Sequence, residues 1–253
     1  MPLRTTTLTL VSTTELLMDR DNISFTEKIV RWQKDPSNAD LQVPGDDRAP
    51  AWGWLGKLHF DERSGFVGLP VGMLQACLRA AAATIPHPTA RGGKTLKEVS
   101  QAGIQFTRTM FPLLVQTPGL PLVGQTLRPP ALWMPIPYPE LFQKLQAEDD
   151  FLVHEAVTKQ YGFLLDIRRA SPQYNRKHIR VRPLFGSWRC VCTMSVHDDV
   201  LTDEVLLQMF TIAGHNKGIG NWRPSCSKAG SYGIFSVEAG VPDDLQKVVE
   251  ALG

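Results

Sequence analysis

The residues best equipped to contact a ligand form the stretch Gly214-His-Asn-Lys-Gly-Ile-Gly-Asn-Trp-Arg-Pro224, followed by Gly230-Ser-Tyr-Gly-Ile-Phe-Ser-Val237. Glycines at 214, 218 and 220 admit positive φ and leave no Cβ between main-chain N–H groups and a ligand. Lys217 and Arg223 add positive charge and Trp222 an aromatic face, so the chemistry on offer is phosphate contact with base stacking. The same spacing also describes a helix C-cap glycine, a tight turn and a packed tryptophan. Walker and dinucleotide-binding loops precede a helix, whereas these glycines follow one, so neither nucleotide fingerprint applies.

A second signal is charge. From Arg168 to Arg189 the chain carries Arg168, Arg169, Arg176, Lys177, His178, Arg180, Arg182 and Arg189 with no acidic residue, in a protein of 27 basic and 25 acidic residues. A net charge of +2 supports no global polycation argument, so a basic footprint has to be local. Arg180 and Arg182 alternate with Ile179 and Val181, which projects both guanidinium groups from one strand face, with Tyr174 near for stacking. The competing reading is a solvated basic face balanced by Asp149, Asp150, Asp198 and Asp199.

Other chemistries are poorly served. His178, His197 and His215 could act in general acid or base roles, as in a metal-independent endoribonuclease, but no Ser/His/Asp set or carboxylate pair accompanies them. His197-Asp198-Asp199 falls in a turn before a helix cap, where solvated side chains are expected rather than a metal. Cys77, Cys190, Cys192 and Cys226 include no CxxC pair, and no secretory leader is read before them. The expectation is therefore no catalytic residue, no metal, no cofactor and no disulfide framework. No apolar run reaches the roughly 20 residues a membrane span needs, so a cytoplasmic protein is expected.

The elements that must position these residues can be read in part. Thr5 to Val11 alternates as a half-buried strand. Residues 19–52 look inserted, with a short helix over Ser24 to Gln33. Trp54 to Phe60 and Phe66 to Leu69 flank a hairpin turn at Asp61-Glu-Arg-Ser-Gly65. After Pro70, an apolar stripe of Val71, Leu74, Leu78, Ala82 and Ile85 predicts a helix. Residues 87–101 read as a mobile basic loop, Ile104 to Val115 as strands, and Pro112 to Pro139 as an extended proline-rich arm. Its Leu132, Trp133, Met134 and Ile136 either cover this chain's core or reach a neighbouring subunit.

The alternation of Trp188, Cys190, Cys192, Met194 and Val196 with polar neighbours predicts a strand whose thiols face the core. Thr202 caps a helix with Asp203 and Glu204 in its first turn and a stripe of Val205, Leu206, Met209, Phe210 and Ala213. The outcome is one elaborated α+β domain over residues 1–253, a ferredoxin-like or RRM-like split βαβ core built from about 1–18, 70–85 and 176–239. Long insertions occupy about 19–52 and 86–139. Both helices cover one sheet face in that plan, leaving the other for a partner.

Three segments carry a resemblance to a known family: Leu16-Leu-Met18, Arg180-Val-Arg-Pro183 before the Trp-bearing strand, and Gly218-Ile-Gly-Asn-Trp-Arg-Pro224 with Tyr232-Gly-Ile-Phe235. Together they resemble bacteriophage proteins that are similar to the RAMP superfamily, whose ferredoxin-like members form the guide-RNA-binding backbone of CRISPR effector complexes. The resemblance is most specific over residues 176–237. It implies binding of single-stranded DNA or RNA along its backbone, side-by-side homo-oligomerisation, and a thumb role for residues 86–139. The binding set comprises Arg168, Arg169, Arg176, Lys177, His178, Arg180, Arg182, Lys217, Gly218, Gly220, Trp222 and Arg223. A phage single-stranded DNA-binding role in replication or recombination leads. The alternatives are a guide-RNA backbone subunit, an endoribonuclease and a virion or scaffold protein. Phage origin would place it in the cytoplasm of a bacterial host.

Overall fold

The computed structural model describes residues 4–90, 92–117, 132–170 and 178–252. Its order begins β1 (Arg4–Ser12), β2 (Leu16–Leu17), α1 (Ile23–Lys34), β3 (Gly68–Pro70), α2 (Val71–Ala82), α3 (Lys97–Gly103), β4 (Ile104–Phe106), β5 (Met110–Pro112) and β6 (Leu114–Thr117). It continues β7 (Leu132–Pro135), α4 (Tyr138–Leu145), α5 (Phe151–Gln160), β8 (Leu164–Ala170), β9 (His178–Phe185), β10 (Trp188–Val196), α6 (Asp203–Ile212), β11 (Phe235–Ala239) and α7 (Gln246–Leu252). The class is α+β, with antiparallel sheets.

The largest sheet runs β11-β1-β10-β6-β7, with β4 also paired to β10. β10 therefore lies between β1 and β4, and β1 between β10 and β11, every pairing antiparallel. The chain makes two crossovers, β1 to β4 through α2 and β10 to β11 through α6. The alternating strand holds as read: Trp188, Cys190, Cys192 and Met194 are all fully buried, and the Cys190 and Cys192 sulfurs lie 3.7 Å apart. Burial and the neighbouring thiol push the Cys192 pKa well up. α2 and α6 pack on that same core, Leu74, Leu78, Leu206, Met209 and Phe210 supplying their buried stripes. Thr202 caps α6 as expected, its hydroxyl accepting from the Val205 N–H.

The opposite face of this sheet is not left open. Leu245, Val248, Val249 and Leu252 lie against Leu114, Trp133 and Val191 in a second apolar cluster. Arg189 stacks 4.6 Å from the Trp133 ring centroid and pairs with Asp244, clamping the C-terminal segment. The expected free sheet face is thus partly taken by the chain's own end. Trp133 and Ile136 are buried and cover this chain's core, whereas Leu132 and Met134 remain exposed. Of the arm, residues 118–131 lie outside the described residues.

Two further segments differ from their sequence readings, and a third agrees. Lys97–Gly103 is helical where a mobile loop was expected. Ala51–Lys57 forms a short 3-10 helix rather than strand, with Trp54 and Leu55 both fully buried. The Asp61–Gly65 turn is present, with Gly65 at φ 72 and the Asp61 N–H bonded to the Phe66 carbonyl. Tyr138, Leu141 and Leu145 bury one face of α4, which packs with α1: Phe142 meets Phe25 edge-on at 6.1 Å.

Candidate nucleic-acid interface

A small sheet, β2-β9-β8, carries the arginines. Leu16 and Leu17 pair with Phe185 and Leu184, and β8 pairs with β9 over seven residues. The glycine loop joins at β2: the Asn221 N–H donates to the Leu17 carbonyl, and the Gly233 N–H to the Glu15 carbonyl. The dipeptide Leu16-Leu17 thereby stitches the loop to the arginine-bearing strands.

Register decides which arginines meet. Arg168 faces Arg180 and Asp166 faces Arg182 across the β8–β9 ladder, so all four side chains share one face. The Asp166 carboxylate takes Arg168 Nε at 2.6 Å and Arg182 Nη2 at 3.4 Å. Arg168 also donates to the Tyr232 hydroxyl and lies 5.4 Å from that ring and 5.7 Å from Trp222. Burial opposes the Arg168 charge, but Asp166 and Tyr232 more than offset it, and its pKa is raised. Arg180 is half-exposed and pairs at 3.9 Å with Asp19, which also accepts from the Asn221 amide at 3.1 Å.

Arg182 departs from the sequence reading. It is only 4% exposed, its guanidinium lies 4.5 Å over the Trp222 ring, and among the described residues no acceptor meets its Nε. A cation so placed orders the site from beneath rather than meeting a phosphate. Arg223 turns back on its own loop, bonding the Gly220 carbonyl and the Ser225 hydroxyl. Lys217 and Arg169 have no ion-pair partner among the described residues, but Arg169, opposite Ile179, lies on the other face of the small sheet from Arg168 and leaves the predicted set; His178 stands half-exposed at the start of β9. Arg176, Lys177 and Tyr174 lie outside the described residues.

The glycines serve the fold first. A Cβ on Gly220 would stand 2.7 Å from the Leu17 carbonyl oxygen and 2.6 Å from Leu16 Cδ1. One on Gly214 would overlap the Phe235 carbonyl, and one on Gly233 the Ile219 carbonyl. Gly218, at φ 65, ends a π turn in which its N–H reaches back to the Ala213 carbonyl. The close approach that glycine permits here is of the chain to itself, not of a ligand to the main chain.

Two members of the cluster escaped sequence reading. Asp166 stands two residues from Arg168, so strand periodicity could have placed it on the arginine face. Tyr232 reaches the site only through the loop's return path, for which the sequence has no local signal. Among the described residues no group of three or more His, Cys, Asp or Glu side chains is arranged to hold a metal, and no helix is long and apolar enough to cross a membrane.

No protein-family model matches the chain, and no curated protein matches its sequence. Among solved structures it is similar to Cmr6 from Pyrococcus furiosus, at a TM-score of 0.33 and 11% identity, over 93% of this chain and 99% of that one. A TM-score of 0.33 does not establish a shared fold.

Proposed function

We propose that this protein binds single-stranded nucleic acid across the β8–β9 face and the glycine loop, and assembles with copies of itself along the strand. The observation that carries the reading is the cross-strand pair Arg168 and Arg180, both partly exposed, with the Arg168 guanidinium beside the Trp222 and Tyr232 rings, whose centroids lie 6.3 Å apart. Arginines able to exchange a carboxylate partner for a phosphate, set beside aromatic faces, are the means by which sequence-tolerant proteins hold a single strand. Asp166 neutralises only one of the two arginines it touches, so the face keeps a surplus of positive charge. We read the arrangement as a binding surface; among the described residues no acid–base pair converges on it.

The strand order supports the split βαβ, ferredoxin-like and RAMP-type plan: numbering the crossover strands 1 to 4 along the chain, the sheet reads 4-1-3-2. With the open face of that sheet partly covered by Leu245 and α7, the small sheet and loop offer an accessible basic surface.

Binding should be strongly salt-dependent. Three phosphate contacts, from Arg168, Arg180 and Lys217, at a slope of about −0.7 each, predict a loss of about 20-fold between about 50 and 200 mM salt. Arg168→Gln with Arg180→Gln should make the log–log slope shallower by about 1.4. An affinity indifferent to salt, or to both substitutions, would overturn the reading.

A further inference from the structure

Two cavities adjoin the arginine face and share a wall. One, of 320 Å³, is bordered by Asp19, Arg20, Asn22 and Arg180. The other, of 510 Å³, is bordered by Gln33, Gln42, Val43, Asp47 and His178. Ile29, Gly53 and Lys57 line both, so the two lie side by side between α1, the 43–57 segment and β9. The near end starts at Arg180, whose partner Asp19 is also held by Asn221 of the glycine loop. The far end lies at His178, two residues before Arg180 and so on the same face of β9.

The chemistry changes from one cavity to the other. At the near end Arg20 and Arg180 stand against Asp19 and Asp21. At the far end stand two carboxylates, Asp46 and Asp47, and one ammonium, Lys57, with no surplus of positive charge among them to draw a phosphate. Those charges are already engaged: Asp46 with Arg48 at 2.6 Å, and Asp47 with Lys57 at 2.7 Å. Arg48 holds the Asp46 carboxyl below its usual range. What the far cavity offers a ligand is apolar wall from Ile29, Val43 and Pro44 and a rim of the Gln33 and Gln42 amides. The Gln42 amide is fixed in place by donating to the Gln33 main-chain carbonyl at 2.7 Å. Apolar surface with amide donors and acceptors at its edge complements a neutral nucleobase, and the volume falls within the roughly 300–1,000 Å³ of small-ligand sites.

We infer that the far cavity receives one unstacked base of a bound single strand, while Arg180 and Arg168 hold the adjoining phosphates. The inference rests on the strand-binding reading above, and its test separates the two. Affinity is measured for a single strand of about 12 nucleotides and for a strand of equal length lacking every base. Gln33→Ala with Gln42→Ala removes the amide rim. Val43→Trp, at an exposed position, fills the cavity by a second route. Each variant should lose roughly tenfold in affinity for the ordinary strand and keep the wild-type affinity for the base-free strand. Wild-type binding of both strands with no loss in either variant would mean that no base enters here, leaving the strand-binding reading intact. An equal loss on both strands would assign the cavity to backbone and overturn the inference. Failure of the wild-type protein to bind either strand would overturn both readings.

Discussion

The guanidinium of Arg182 lies 4.5 Å above the ring centroid of Trp222, joining the middle of β9 to the glycine loop. A buried guanidinium is costly unless its charge is met, and here Asp166 meets one side and the aromatic face the other. Trp222 is held at φ 50, a left-handed conformation uncommon for a bulky residue, and the stack on Arg182 helps pay for it. One face of Trp222 is thus committed within the protein. What remains for a base is its other face and the nearby Tyr232.

Two tryptophans should therefore respond differently to removal. Trp188 is fully buried and its indole N–H donates to the Thr14 carbonyl, so Trp188→Ala should cost about 3–5 kcal/mol. Trp222→Ala should cost about 1–2 kcal/mol through the lost cation–π contact and weaken strand binding as well. Denaturant titration of both variants checks the order, and an equal loss of stability would contradict the half-exposed, two-sided role given to Trp222.

Much of the core was legible because its periodicities are local. The strict alternation over Trp188–Val196, the stripe after Pro70 and the Thr202 cap each state burial or hydrogen bonding within one element. The arginine face was legible only in part, since strand alternation puts Arg180 and Arg182 together but does not say that one is buried. That depends on which loop packs above, a relationship set by Leu16-Leu17 bridging distant segments. α4 and α5 were hidden by the proline-dense sequence before them, although Tyr138, Leu141 and Leu145 carry helical spacing.

The glycine loop gives a sharp contrast between crowded and open positions. Gly233, at φ 68, has no room for a Cβ against the Ile219 carbonyl, so Gly233→Ala should destabilise by more than about 3 kcal/mol or prevent soluble expression. Gly72, near the start of α2, has nothing within 4 Å of its Cβ position, and Gly72→Ala should stabilise by about 0.5–1 kcal/mol. Melting curves of the two variants test this, and a tolerated Gly233→Ala would show that the loop is not held tight against the Ile219 carbonyl.

Acid should weaken the fold through two histidines. His154 accepts from the Trp54 indole at Nδ1 and directs Nε2 to the Glu148 carbonyl, an arrangement that requires the neutral ring. Burial lowers its pKa against the opposing pull of Glu148 and nearby carboxylates, and burial with Arg20 brings His59 to about 4. Above about pH 6.5 both rings are neutral folded or unfolded and contribute nothing; below it the unfolded chain takes protons the folded one refuses, so stability falls. With its pKa brought to about 4, His59 contributes a loss on the order of 3 kcal/mol at the acid end of that window. His59→Gln should flatten the stability profile between those values, and an unchanged slope would assign the acid sensitivity elsewhere.

Assembly along the strand should depend on the exposed side of β7 and not on its buried side. Leu132 and Met134 are 62% and 43% exposed on the outermost strand of the main sheet, whereas Trp133 between them is docked under Arg189 and beside Leu114 and Leu245. Apolar side chains left outward at a sheet edge suit contact with a second copy. Leu132→Ser with Met134→Ser should therefore keep stability within about 0.5 kcal/mol and abolish cooperative binding to a long strand. Trp133→Ser should instead lower stability by about 3 kcal/mol, because it empties the cluster beneath the C-terminal helix. Light scattering of each variant with a strand of about 60 nucleotides separates the outcomes. Wild-type protein that stays monomeric on that strand, or a double variant that assembles as well as wild type, would show that this edge does not join neighbouring subunits.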